Sequence, residues 1–126
     1  MNTGFIYKIT DGTLDYYGST DRAINTRLTE HKQKYKLYLN GKYNYVSSFE
    51  IIKNGHVDIK IELIEEFNYN DKNELLNKEK EYILNNKCCN QRVPNQTPKE
   101  YYMRNRERIL RTKKEKYHLK KINDNL

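Results

Sequence analysis

Residues 5–20, FIYKITDGTLDYYGST, constrain the fold of this chain more than any other stretch. β-Branched and aromatic residues fill FIYKIT and LDYYGS, and the DGT between them is a turn signal, so the segment predicts a tight β-hairpin. Two phenols, Tyr7 and Tyr16, fall on the paired strands. Aromatic residues favour strands for packing alone. The pair therefore does not by itself separate a core from an active site.

The rest of the chain supplies one more strand and several helices. In STDRAINTRLTEHKQKYKLYL, Ile24, Leu28, Tyr35 and Leu39 recur at roughly helical spacing, which predicts a helix over 21–39 capped by Asp21. VSSFEIIKNG reads as a short helix, capped by Ser47 or Ser48 and ended by Asn54-Gly55. VDIKIELIEEF alternates, with Val57, Ile59, Ile61 and Leu63 facing away from Asp58, Lys60 and Glu62, as in a strand with one face on a core. A further helix starts at Asn70 or Asp71 and sets Leu75, Leu76, Glu79, Tyr82 and Ile83 on one side. In TPKE, Thr97 as N-cap, Pro98 in the first turn and Glu100 at the third position form a capping box. The helix it opens is poor in apolar residues, so its helicity depends on docking or on a partner. The order ββααβα, followed by a basic helix, predicts an α+β fold: a small three-stranded, mainly antiparallel sheet flanked by helices. The expected division is a body over 1–96 and a tail over 97–126.

Charge sharpens that division. The chain carries +7 over 126 residues; ten basic and four acidic residues in 97–126 give the tail +6 and leave the body +1. A nearly neutral body with a basic tail points to a polyanionic partner, most simply DNA, with Arg104, Arg106, Arg108, Arg111, Lys113, Lys114, Lys120 and Lys121 as the expected phosphate contacts. Tyr102, Ile109 and Tyr117 make a poor stripe, which argues against a tail helix built to dock on protein. Mean hydropathy is −1.11, no run of eighteen apolar residues exists, and no secretory signal is visible at the start. No membrane partner is expected, and the expected location is cytoplasm, nucleus or virus factory. Cys88 and Cys89 are adjacent, a spacing that suits neither a disulfide nor zinc, so reduced thiols are expected.

Polar residues that interrupt buried patterns form the candidate site. Arg27 and His31 are four apart and share one side of their helix. Glu79 stands within an apolar stripe, where a carboxylate is costly unless paired or metal-bound. Two phenols, a guanidinium, an imidazole and a carboxylate suit phosphodiester hydrolysis. Arg grips phosphate with two donors, and one carboxylate can hold a hydrated Mg²⁺ that stabilises charge on the phosphate.

FIYKIT, YYGST, RLTEH, NKEKEYI and CCN, in this order, resemble the motifs of the GIY-YIG nuclease family, over about residues 4–93. Phe5 replaces the opening Gly of the first motif, with Gly4 one place earlier, and Tyr17 stands where the second motif usually has an aliphatic residue. The resemblance implies a one-metal endonuclease acting on DNA, similar to small stand-alone members from large DNA viruses and mobile elements. It implies that Tyr7 and Tyr16 line the active site while Tyr17 packs on the other face. Arg27 would hold the scissile phosphate, and Glu79 would ligate Mg²⁺ or Mn²⁺ opposite the leaving 3′ oxygen. The general base is one of Tyr7, Tyr16 and His31, with a phenol poised by Arg27, by a lysine such as Lys8 or by metal-bound water. Asn90 would brace the site. One site cuts one strand, so the expected state is a monomer or a transient dimer on DNA. The alternative reading is a non-catalytic nucleic-acid-binding module that uses the basic tail.

Overall fold

The structure, a computed structural model, describes residues 1–54 and 58–124, with side chains through 115. The elements are β1 (Asn2–Thr10), β2 (Asp15–Thr20), α1 (Arg27–Leu39), α2 (Phe49–Ile52), β3 (Lys60–Tyr69), α3 (Lys72–Asn85) and α4 (Pro98–Asp124). The strands form one antiparallel sheet in the order β2-β1-β3. The fold is therefore α+β, as the element pattern predicts. Two compact units divide the chain, 1–95 and 96–126.

Local chemistry explains the hairpin. Asp11 Oδ1 accepts the N–H groups of Thr13 and Leu14, both at 2.8 Å. Gly12 sits at φ +91, a conformation other residues rarely adopt. In the resulting register Tyr7 lies opposite Gly18 and Ile9 opposite Tyr16.

The third strand corrects the expected alternation. Pairing jumps from Ile6↔Glu65 to Tyr7↔Leu63, so Ile64 is an extra residue in a β-bulge. The bulge reverses the two faces midway along β3. Leu63 is 51% exposed, whereas Ile64 packs against two buried clusters. Val57, also expected in this strand, lies outside the described residues.

The two sheet faces carry different cores. Tyr7, Ile9 and Ile51 form one, with Tyr16, Ile24 and Leu28 packed against it. This is the side of α1 and α2. Ile6, Tyr69 and Leu75 form the core on the α3 side, continued by Tyr17, Ile83 and Val93.

Two helix starts differ from expectation. The helix expected from 21 begins instead at Arg27, after a 3₁₀ turn at Ile24–Thr26. Thr20 Oγ1 accepts the Arg22 N–H at 3.1 Å, Ala23 is extended, and Asp21 pairs with Lys72 at 3.7 Å rather than capping. The serines before α2 do not cap it either. Ser47 Oγ accepts the N–H of Gln91 at 2.8 Å, and Ser48 turns toward His31. Of the two candidate caps of α3, Asp71 is the one used, accepting the Asn73 N–H at 2.9 Å.

In the tail unit, Thr97 Oγ1 accepts the Glu100 N–H at 3.1 Å and starts α4. Arg104, Arg106, Arg108, Arg111, Lys113 and Lys114 are exposed along it. The side chains of Tyr117, Lys120 and Lys121 lie outside the described residues. Among the described residues no helix is long and apolar enough to cross a membrane. Neither cysteine forms a disulfide among the described residues, and the Cys88 thiol donates to the Ile83 carbonyl at 3.6 Å.

Candidate active site

Tyr7 is the hub. It stands at the centre of β1, 1% exposed. Its ring lies directly over Gly18 on β2, where a Cβ would come within 2.5 Å of Tyr7 Cζ and Oη. The absent side chain at 18 is thus what seats the phenol. Arg27, on the first turn of α1, donates from Nη2 to Tyr7 Oη at 3.1 Å and from Nη1 to Glu30 Oε2 at 2.8 Å. Arg22 Nη2 donates to the same Glu30 oxygen at 3.0 Å. The guanidinium is held at both ends, while its buried Nε has no partner among the described residues.

His31, one turn further along α1, closes the network. Its Nε2 lies 3.0 Å from Tyr7 Oη, and its Nδ1 lies 2.7 Å from Ser48 Oγ. Burial, with the positive charges of Arg27 and Lys34, lowers its pKa to about 4. The ring is neutral at pH 7. With Arg27 donating to Tyr7 Oη, a consistent arrangement has the Tyr7 hydroxyl donating to Nε2 and Nδ1–H donating to Ser48 Oγ. Tyr16 packs edge-on against His31 with ring centroids 5.4 Å apart.

The phenols are not ionised at rest. Burial raises the Tyr7 pKa, and the nearby Arg27 only partly offsets it. Tyr16 is pushed up further, by burial and then by Tyr7 and Glu79. For Arg27, burial works against the charge, but the Tyr7 oxygen and Glu30 outweigh it and hold the guanidinium protonated.

Glu79 approaches from the α3 side. Ser19, whose side chain alternates away from Tyr16 and Gly18 on β2, donates from Oγ to Glu79 Oε1 at 2.7 Å. Burial raises the Glu79 pKa, opposed by the Ser19 bonds and by the field of Arg27. Glu79 also acts electrostatically on Tyr7 and Tyr16. It belongs to the same neighbourhood without touching the Tyr7 network. No group of three or more His, Cys, Asp or Glu is gathered for a metal among the described residues.

The residues singled out in the sequence thus divide into three. Tyr7, Tyr16, Arg27 and His31 meet directly, and Glu79 joins them through its charge. Asn90 is elsewhere: its Oδ1 accepts the Tyr17 N–H at 2.9 Å and its Nδ2 donates to the Tyr17 carbonyl at 2.8 Å, which clamps β2 from outside. Tyr17 packs on the α3 face, stacked on Tyr82 at 5.9 Å. Lys8 shares that face and pairs with Glu62 at 3.6 Å, so it is not the lysine that poises Tyr7. Three residues that hold the site were not singled out for it. Ser48 and Ser19 orient His31 and Glu79, and Glu30 anchors Arg27. Only Glu30 left a signal, its i,i+3 spacing from Arg27.

The buried histidine makes a pH prediction. Its folded pKa of about 4 lies below the ordinary 6.5, so between those values the unfolded chain binds the extra proton. The stability it contributes is complete above pH 6.5 and is lost as pH falls toward 4, to a total of about 3 kcal/mol. Glu79, with a raised folded pKa, works in the opposite sense over its own range. Urea denaturation at pH 7 and pH 4.5 should therefore show a smaller acid loss in His31→Gln than in the parent chain.

Comparison with known proteins finds no matching family model, no matching curated protein and no matching solved structure.

Proposed function

We propose that this chain is a metal-dependent endonuclease that hydrolyses DNA phosphodiester bonds, in the manner of the GIY-YIG nucleases its motifs resemble. The observation that supports the reading best is the buried line Arg27–Tyr7–His31–Ser48, whose Arg27 Nε has no partner among the described residues. A structural ion pair would satisfy its donors within the fold. A guanidinium fixed in place by Tyr7 and Glu30 keeps further Nη N–H donors, and its planar fork suits an oxyanion.

The proton path follows from the same line. Tyr7 Oη accepts the proton of an attacking water while passing its own to the neutral His31 Nε2, and Ser48 holds the ring in the receiving tautomer. Tyr16 lacks such an outlet among the described residues and walls the site through its ring. Arg27 orients the phosphate and meets the charge that develops on it.

Glu79 fits a divalent cation. It is a half-buried carboxylate whose own charge is disfavoured by desolvation, and the hydrogen bonds it accepts come from the hydroxyl and the backbone of Ser19, both neutral. Mg²⁺ needs few protein oxygens because it keeps several waters. Bound there, Mg²⁺ or Mn²⁺ would supply Lewis-acid stabilisation of the leaving oxygen.

The direct test is supercoiled plasmid with Mg²⁺, with and without EDTA. Nicked circles that disappear with EDTA support the reading; intact plasmid at high enzyme concentration, with DNA binding retained, replaces it by the non-catalytic binding module. Arg27→Lys keeps the charge but loses the planar fork, so single-turnover nicking should fall at least about tenfold, or 1.4 kcal/mol. The tail supplies affinity under this reading. If about four of its basic residues reach phosphates, deleting residues 97–126 should flatten log affinity against log salt by about 3 to 4 units, with the circular dichroism of the body retained.

A further inference from the structure

One side of α1 leads away from the site into a cluster of tyrosines. His31, Tyr35 and Tyr38 follow one another at spacings of four and three, on one side of the helix. Phe49 on α2 is the buried floor. The rings of Tyr35, Tyr38 and Tyr45 lie 5.4, 5.3 and 5.9 Å from it. Tyr38 and Tyr45, above that floor, remain 38% and 39% exposed, and Tyr43, whose ring lies against Lys34, is 40% exposed.

The surrounding charge has one sign. Residues 32–49 contain Lys32, Lys34, Lys36 and Lys42 and no acidic residue. None of these lysines is ion-paired among the described residues. Lys34 Nζ stands 5.6 Å from the centre of the Tyr43 ring. The adjacent acid, Glu50, is already engaged by Lys53 and by the Tyr45 hydroxyl, both at 2.6 Å. Half-exposed rings interleaved with unpaired cations match the chemistry of an unpaired nucleic-acid strand: every base offers a π-face, and every linkage offers a charge. Duplex DNA hides its base faces and would use the lysines alone. The cluster also continues into the site, because Ser48, which holds His31, directly precedes Phe49.

We propose that the Tyr38–Tyr43–Tyr45 face with Lys34 and Lys42 binds an unpaired DNA strand by base stacking, next to the Arg27–Tyr7 site. The proposal rests on the nuclease reading for the identity of that strand as substrate, and its binding step needs no catalysis.

The chain contains no tryptophan, so Tyr43→Trp in the full chain gives a single reporter. In EDTA, saturating oligothymidine should quench its emission, whereas a blunt duplex that binds equally well by anisotropy should not. Tyr43→Ala should weaken oligothymidine binding roughly tenfold and duplex binding by less than about twofold. Unchanged emission with bound oligothymidine overturns the proposal, and so does equal weakening for both DNAs. Plasmid nicking that persists in that case leaves the nuclease reading intact. Quenching by a chain that never nicks retains the strand-binding face and removes the nuclease.

Discussion

Glu79→Gln is expected to lower plasmid nicking by more than about a hundredfold while leaving the fold and DNA binding in place. The substitution is close to isosteric and still offers an oxygen to Ser19 Oγ, 2.7 Å away. It therefore removes the charge and little else. Desolvation already disfavours that charge in the folded chain, so losing it should be neutral or slightly stabilising. A metal's contribution to charge stabilisation is several kcal/mol, which sets the size of the expected loss. Nicking at near parental rate in Mg²⁺ would show that Glu79 is a structural acid. A large fall in melting temperature would show that its charge holds α3 to the sheet. Single-turnover nicking and a thermal melt, run together, separate these results.

The second large effect comes from one methyl group. Gly18→Ala should cost about 1–3 kcal/mol of stability, as overpacking typically does, and more than about a hundredfold in nicking. The new Cβ would meet Tyr7 Cζ and Oη at 2.5 Å and Cε2 at 2.9 Å. Tyr7 is buried, and its hydroxyl is shared by Arg27 and His31. Any shift that admits the methyl breaks both bonds. In a Tyr7→Val background the same substitution should cost almost nothing in melting temperature. A mild effect of Gly18→Ala in the parent chain would mean that Tyr7 has a second seat.

Much of this arrangement is legible before any coordinates, and the reasons are local. The hairpin follows from an Asp-Gly turn between β-branched runs, and its register follows from that turn. Arg27 and His31 are readable as neighbours because four residues make about one helical turn. Glu79 stands out as a carboxylate in an apolar stripe. What could not be read depends on long-range choices. Ser48 has the local chemistry of a helix cap, and nothing nearby shows that its hydroxyl will serve a histidine 17 residues earlier. The late start of α1 is equally hidden: the Thr20 hydroxyl takes the Arg22 N–H, Asp21 pairs with Lys72, and a 3₁₀ turn precedes the helix, which no side chain caps among the described residues. The bulge at Ile64 is invisible to a period-two pattern, since alternation on either side of it is intact. Gly18 signals a turn or a close approach equally well until Tyr7 is seen above it.

The clamp that Asn90 places on Tyr17 has a consequence that does not depend on the proposed nuclease chemistry. β2 is the outer strand of the sheet, and an outer strand offers its free N–H and C=O groups to any chain that can align with it. The Asn90 amide takes both groups of Tyr17, and the Cys89 N–H takes the Asp15 carbonyl at 2.8 Å. Residues 89 and 90 thus counterfeit the first rungs of a fourth strand, with a side-chain amide standing in for a peptide bond. Asn90→Asp would swap a donor for a carboxylate that repels the Tyr17 carbonyl. It should unseal that edge and favour self-association, which light scattering would report as concentration-dependent growth in particle size.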